Sequence, residues 1–270
     1  MPDSWDRRIN RTIQLASRDD DATRPLVVFY GTLLRLQKDL YDFVRGRPGW
    51  RPTGALDRDL ATFRPQIPAL LRGVAAAGSA KNLQNHMLAR EASLLLEGPG
   101  SAIDELLLNY WRDPSDRQFF PKVILQPYAQ WLSEQGVSPA GGRATRAENR
   151  CPRCGGAPQL SILEVTSDPM ADGGGRSLLC ALCLTSWPFR RVLCASCGET
   201  DERKLAYFKT ASYDHLRVDA CDTCRRYVKT VDLTRLGLAV PIVDELAGAS
   251  LDVWAREHDY QKVELNLVGV

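Results

Sequence analysis

The sequence predicts an α+β chain: an all-α N-terminal half, then two small cysteine-framed β domains and a closing helix. Three observations carry this. Apolar residues recur at three- and four-residue spacing through the first half of the chain. All eight cysteines fall after residue 150, in four Cys-x-x-Cys pairs. Between the two regions lies Gly136-Val-Ser-Pro-Ala-Gly-Gly-Arg143, a glycine- and proline-rich stretch of the kind that joins domains. These features place a helical domain at 1–140, a linker at 141–150, β domains at 151–190 and 191–240, and a C-terminal helix and tail at 241–270.

The helices follow in order. Leu26, Phe29, Tyr30, Leu33, Leu36, Leu40, Tyr41 and Val44 form one stripe. Pro25 suits its first turn, and Gly46 the position just past its end. Asp19-Asp20-Asp21 before it reads as a solvated turn. A second helix begins near Pro65 and runs through Leu70, Leu71 and Val74. A third covers about 79–96, with Leu83, Met87, Arg90 and Leu94 along one face, and Gly98-Pro99-Gly100 stops it. Ser101 is placed to cap a fourth, holding Ile103, Leu106, Leu107 and Tyr110 and closed by Pro114. A fifth carries Val123, Tyr128, Trp131 and Leu132, and Gly136 ends it. These stripes read as core, in a bundle of five or six helices. Trp50 and Trp111 are the aromatics open to a second reading, as a partner surface.

After Cys151 the pattern shortens. Residues 159–165, 178–179, 205–208, 216–218 and 227–233 read as short strands between turns. The segment 168–175 reads as a loop tip. Helix returns at Pro241, with Ile242, Val243, Leu246, Ala247, Ser250, Leu251 and Trp254 on one face, packing back on the cysteine region.

The pairs are Cys151/Cys154, Cys180/Cys183, Cys194/Cys197 and Cys221/Cys224, separated by 25, 10 and 23 residues. A Cys-x-x-Cys turn sets two sulfurs on one side of a tight loop, where both can bind one metal. Gly155 and Gly198 follow their pairs as in the knuckles of rubredoxins and zinc ribbons. Leu184 and Arg225 stand in the equivalent places of the other two, so those knuckles are expected to turn differently or less tightly. Long–short–long spacing argues for sequential pairing: Cys151, Cys154, Cys180 and Cys183 in one site, Cys194, Cys197, Cys221 and Cys224 in the other. A crossed pairing stays open. Each site is then a tetrahedral four-cysteine site of rubredoxin-like or zinc-ribbon-like form, suited to zinc or a single iron.

Three other uses of these cysteines have less behind them. Disulfides belong to oxidising compartments, and the start of the chain, Met1-Pro-Asp-Ser-Trp-Asp-Arg-Arg8, has no apolar run after its charges. Thiol redox catalysis needs one pair, and no thioredoxin-like βαβ pattern surrounds any of the four. An iron–sulfur cluster is the third. No apolar run approaches the ~20 residues that span a bilayer. The chain is therefore expected to be cytoplasmic and not inserted in a membrane.

Composition excludes other classes. Of 270 residues, 44% are hydrophobic and 25% charged, values that belong to a folded chain. Residues 1–150 hold 21 basic and 17 acidic side chains, and residues 151–270 hold 14 and 16. Eight thiolates with two divalent ions bring the cysteine-bearing half to about −6. That charge opposes phosphate binding, so no nucleic-acid partner is expected. No catalytic constellation stands out. His86, His215 and His258 read as packed, exposed or helix-end histidines, with His215 near enough to Cys221 in sequence to touch the second site. Asp244-Glu245 read as first-turn acids, and Gly173-Gly174-Gly175 lacks the Lys-Ser/Thr of a phosphate loop.

The ordered set Cys151-Pro-Arg-Cys154-Gly155, Gly175-Arg176-Ser-Leu-Leu-Cys180-Ala-Leu-Cys183, Trp187, Arg191-Val-Leu-Cys194-Ala-Ser-Cys197-Gly198, Cys221-Asp-Thr-Cys224, Tyr227-Val-Lys229, Asp244-Glu-Leu-Ala247, Ser250-Leu-Asp252, Tyr260 and Asn266 resembles the formate dehydrogenase accessory, or formation, proteins. It covers most of residues 150–270, and the helical half matches loosely around Pro25–Gln37. The resemblance implies a cytoplasmic maturation factor, not an enzyme. It implies a helical domain followed by two rubredoxin-like folds. It further implies binding to the catalytic subunit of formate dehydrogenase. It also implies two mononuclear metal ions, each held by four cysteines, iron by the family's habit and zinc by the same ligands. A rubredoxin-type one-electron carrier is the alternative.

Overall fold

A computed structural model of the chain describes residues 4–17, 22–79, 86–140, 147–165, 175–210 and 212–269. The chain divides into two compact units, 1–143 with 267–269 and 144–266. The Asp19–Asp21 turn, Leu83 and most of the 168–175 loop lie outside the described residues.

The first unit is helical: α1 (Trp5–Ala16), α2 (Arg24–Arg45), α3 (Leu56–Phe63), a 3-10 turn (Arg64–Gln66), α4 (Ile67–Gly78), α5 (His86–Glu97), α6 (Gly100–Arg112) and α7 (Phe119–Glu134). Ser4 caps α1 by accepting from the Arg7 N–H at 3.2 Å. That helix buries Trp5 and Leu15 together with Arg8 and Arg11. Arg8 then donates to Gln130 Oε1 at 3.0 Å. α2 packs against α1, α3, α4 and α7; of its expected stripe Phe29, Tyr30, Leu33, Leu40, Tyr41 and Val44 are buried, and Leu26 and Leu36 are half-buried.

Two expectations fail here. The α5 face of Met87 and Leu94 does not pack: the two are 82% and 59% exposed. The buried residue of α5 is Ala92, which lies most of half a turn away from Met87 and lets the helix approach α4 closely. Ser101 does not cap α6 either. Pro99 takes the N-cap with an extended backbone, and Ser101 sits inside the first turn.

α7 contains Pro127. A proline has no N–H for the carbonyl four residues earlier, here that of Val123. Fully buried Gln37 on α2 donates to this carbonyl through Nε2 at 3.0 Å, and also to Gln126 Oε1 at 3.1 Å. Gln37→Leu leaves the Val123 carbonyl without that donor and is expected to cost about 1–3 kcal/mol. Urea denaturation of the variant, with an unchanged slope, checks this.

The second unit is a mixed sheet with two helices. Its strands are β1 (Pro158–Glu164), β2 (Gly175–Cys180), β3 (Ser186–Pro188), β4 (Leu205–Thr210), β5 (Tyr213–Cys221), β6 (Arg226–Asp232) and β7 (Gln261–Lys262). Their order is β3-β2-β1-β6-β5-β4, with β7 also on β6. The two antiparallel groups, β1–β3 and β4–β6, join through a parallel pairing of β1 with β6, from Leu160 opposite Lys229 to Leu163 opposite Asp232. The expected last helix is two helices, α8 (Pro241–Ala247) and α9 (Ala249–Glu257), parted at Gly248. A side chain at Gly248 would meet Leu216 Cδ1 at 2.8 Å, so the close approach of this turn to β5 requires glycine.

Leu216, Val218, Ala220, Tyr227 and Val231 pack with Leu251 and Ala255 of α9 and with Tyr260. Beside them lies a buried ionic group. Lys229 donates to the Glu245 carbonyl at 2.6 Å and pairs with Asp252. Lys262 pairs with Glu245 and lies 3.4 Å from Asp252. Tyr227 Oη donates to Asp252 at 2.8 Å and Gln159 Nε2 to Glu245 at 2.7 Å. Of the two expected first-turn acids, Asp244 stands in the first turn of α8, and Glu245 is fully buried, where Lys229 and Lys262 neutralise it together with Asp252.

Candidate metal centres

Each cysteine pair sits on a knuckle of the same construction. The first cysteine donates its N–H to the carbonyl five residues on: Cys151 to Gly156, Cys180 to Thr185 and Cys194 to Glu199, each at 2.9 Å. In the fourth, Cys221 pairs with Arg226 across the β5–β6 turn. The residue after each second cysteine is left-handed in all four: Gly155 at φ 71°, Leu184 at 56°, Gly198 at 78° and Arg225 at 54°. The expectation that knuckles two and four turn differently is therefore overturned. The hydrogen-bond frame sets the turn, and Leu184 and Arg225 carry a backbone strain of about 1–2 kcal/mol each that glycine avoids. Arg225 is held by other contacts: its guanidinium lies 4.0 Å over the Tyr260 ring and 3.1 Å from Asp222. Gly198→Ala places a methyl where no atom lies within 4 Å. Its cost is then conformational alone, about 1–2 kcal/mol, to be read as a lowered unfolding midpoint.

The knuckles bring the sulfurs together in sequential pairs. Cys151, Cys154, Cys180 and Cys183 form one set and Cys194, Cys197, Cys221 and Cys224 the other, with every sulfur of a set within 4.8 Å of the rest. Four thiolates around one ion at about 2.3 Å stand about 3.8 Å apart in a tetrahedron. The second set matches, with Cys194–Cys224 at 3.7 Å and Cys197–Cys221 at 3.8 Å. The first is tighter, with Cys151–Cys183 at 3.5 Å and Cys154–Cys180 at 3.4 Å. Backbone donors spread thiolate charge: Leu182 N–H points at Cys180 Sγ at 3.4 Å, and those of Ser196 and Cys197 at Cys194 Sγ at 3.3 and 3.5 Å.

Electrostatics also favours a cation in each set. Burial pushes the Cys180 thiol well above its ordinary range, and that of Cys224 up to about 12. Hydrogen bonds from Cys154, Cys180 and Cys183 instead shift the Cys151 thiol below its ordinary range. Four sulfurs this close ionise together only around positive charge. Outside the sets, Glu199 accepts from Thr223 Oγ1 at 2.6 Å and from the Asp201 and Thr200 N–H groups, which hold its carboxyl at about 2. That contact ties knuckle three to knuckle four.

Two residues that the motif search gave no role hold the centres in place. Buried Arg176 on β2 donates to the Arg190, Arg191 and Leu193 carbonyls at 3.2–3.3 Å, and to Asp219 on β5 at 3.2 Å. It thereby fixes the approach to Cys194 from the strand that ends in Cys180. Trp187 donates through Nε1 to the Glu148 carbonyl at 2.9 Å. The histidines stand apart from the sulfurs. His215 is buried with Nε2 3.2 Å from Asp244 Oδ1, and Asp244 also accepts from the Val240 N–H at 2.7 Å to cap α8. His86 opens α5 and is exposed, and His258 stacks on Trp254 at the end of α9.

The comparison with known proteins meets this geometry at the same residues. The family models for the FdhE central domain and the FdhE C-terminal domain match residues 150–191 and 192–268, dividing the chain between the two cysteine sets. Residues 150–268 belong to the FdhE family. Among curated relatives, a protein FdhE homolog of Aquifex aeolicus is 39% identical over 122 residues, 45% of this chain and 42% of the relative. One from Haemophilus influenzae is 26% identical over 223 residues, 80% of this chain and 66% of the relative. The chain thus spans less than two thirds of the length of these two relatives. The crystal structure of the FdhE protein from Pseudomonas aeruginosa superposes with a TM-score of 0.68 at 25% identity, covering 99% of this chain and 96% of that one. The FdhE match over nearly the full length includes the helical half, which the two family models leave out. Among the described residues, no helix is long and apolar enough to cross a membrane.

Proposed function

We propose that this FdhE-family chain is an accessory factor, not an enzyme. In this reading it acts in the cytoplasm, binds the catalytic subunit of formate dehydrogenase and is required for formation of the active enzyme. Each four-cysteine set holds one mononuclear metal ion, with Cys151, Cys154, Cys180 and Cys183 as ligands in the first and Cys194, Cys197, Cys221 and Cys224 in the second. Iron is the ion by family habit, and zinc suits the same donors. The observation that supports the reading most directly is the gathering of four knuckles into two sulfur sets within matched FdhE domains. What the metals supply is cross-linking of short strands into a rigid surface, which a client can read without paying to order it.

An anaerobic affinity capture of the tagged chain tests this, from cells expressing formate dehydrogenase, with metal assayed on the same eluate. Recovery of the catalytic subunit with about two metal ions per chain supports the proposal. A folded, metal-loaded bait that captures no such subunit removes the partner. If that metal is iron and cycles reversibly by one electron, the rubredoxin-type carrier takes its place.

A further inference from the structure

The two sulfur sets differ in how they meet solvent. In the first, Cys151, Cys180 and Cys183 are buried and only Cys154 is partly open. Backbone closes over it: a methyl at Gly156 would come within 3.2 Å of Cys180 Sγ and 3.3 Å of Cys154 Sγ. Thr185 Oγ1 lies 3.2 Å from Cys183 Sγ on another side. In the second set Cys197 is exposed and Cys224 partly so. On the inner side of the second set Cys194 and Cys221 are buried, so its open edge is that of Cys197 and Cys224. The latch across its outer edge is a single hydrogen bond from exposed Thr223 to half-buried Glu199.

We infer that the second centre is an exchange site, where the ion can pass to or from a thiolate-bearing ligand through the Cys197 edge, while the first centre keeps its ion for the life of the fold. The inference rests on the metal reading given above. Ligand exchange at a four-coordinate ion is associative, so it needs room for a fifth sulfur beside the ion. That room exists at Cys197 and is filled by backbone and Thr185 at the first centre. In the exchange step the incoming thiol loses its proton as its sulfur bonds the ion. The Cys197 sulfur leaves and takes up a proton, and the oxidation state of the ion does not change.

The test is a time course on the full chain loaded with zinc and challenged with dimercaptosuccinate, counting ions per chain by native mass spectrometry. Two ions should fall to one at least tenfold faster than one falls to none. In parallel, iodoacetamide should label Cys197 and Cys224 during the first phase and none of Cys151, Cys180 or Cys183. Cys197→Ser should bind one ion and show the slow phase alone, whereas Cys154→Ser should keep the fast phase. Equal rates for both ions, or first labelling within residues 151–183, would overturn the inference. A chain that holds no ion at either set overturns the metal reading beneath it, and the ion count at time zero separates that failure from equal rates.

Discussion

Stripping metal from both centres is expected to unfold the sheet of residues 147–266 while the helices of residues 4–140 keep their own backbone order. An ion held by four cysteines contributes of the order of 10 kcal/mol to folding, and a whole domain is stable by about 5–15 kcal/mol. An apolar cluster of the sheet lies under α9. The turns that deliver six of the eight sulfurs are each closed by the hydrogen bond from the first cysteine to the carbonyl five residues on. Without an ion, four crowded sulfurs must protonate, and the buried ones lose their partner charge. Hydrogen exchange is the measurement. The amides of Cys151, Cys180 and Cys194 should lose protection first, followed by β1 and β6, whereas the α2 and α7 amides should be unchanged. A chelated chain that holds the β1·β6 amides at their loaded protection would show that packing alone sustains the sheet. Cys180→Ser should reproduce the first part of this effect, because it removes a fully buried sulfur from the first set.

The cysteine sets were legible because their spacing is a local property of the chain, and sequential pairing needs only two hairpins. The knuckle backbone was misread at Leu184 and Arg225 for a physical reason. Residue type reports what a left-handed position prefers, and here the hydrogen bonds of the turn override that preference. The helix α2 was readable from its long stripe, but α1 was not: three of the five residues it buries are arginine or threonine, and the apolar stem of Arg8 packs while its head finds Gln130. The α5 stripe misled because it fixes a face without saying which side faces the core, and small Ala92 chose the other one. The parallel β1·β6 pairing joins residues about 70 apart, which no short-range pattern records. The burial of Glu245 and Asp252 was not legible for a related reason. Charged residues are seldom buried, and the lysines that make it possible stand on β6 and β7.

Asp252→Asn should be among the most destabilising single changes outside the cysteines. Asp252 is buried and meets three partners: Lys229, Lys262 and the Tyr227 hydroxyl. The amide keeps the shape and removes the charge, leaving two buried ammonium groups facing Glu245 alone. Breaking a buried pair this way costs about 3–5 kcal/mol. The cost comes from the stranded cation, not from a large favourable pair energy, so a double variant separates the two. Asp252→Leu with Lys229→Met removes both charges, leaves Lys262 paired with Glu245, and should recover most of the loss. If the double variant is as unstable as the single one, the loss lies in packing against α9 and not in charge. The pH dependence gives a second check. Burial pushes the Asp252 carboxyl up, but Lys229 and Lys262 outweigh it and hold the group below its usual 3.8. A carboxyl depressed in the folded state adds stability that is complete above its unfolded value and is lost as pH falls through the folded one. The gap between the native chain and Asp252→Asn should therefore be constant from neutral pH down to about 4, then close on further acidification. A gap that widens as pH falls towards about 4 and is constant below it would mean that Asp252 is protonated, not ionised, in the folded chain.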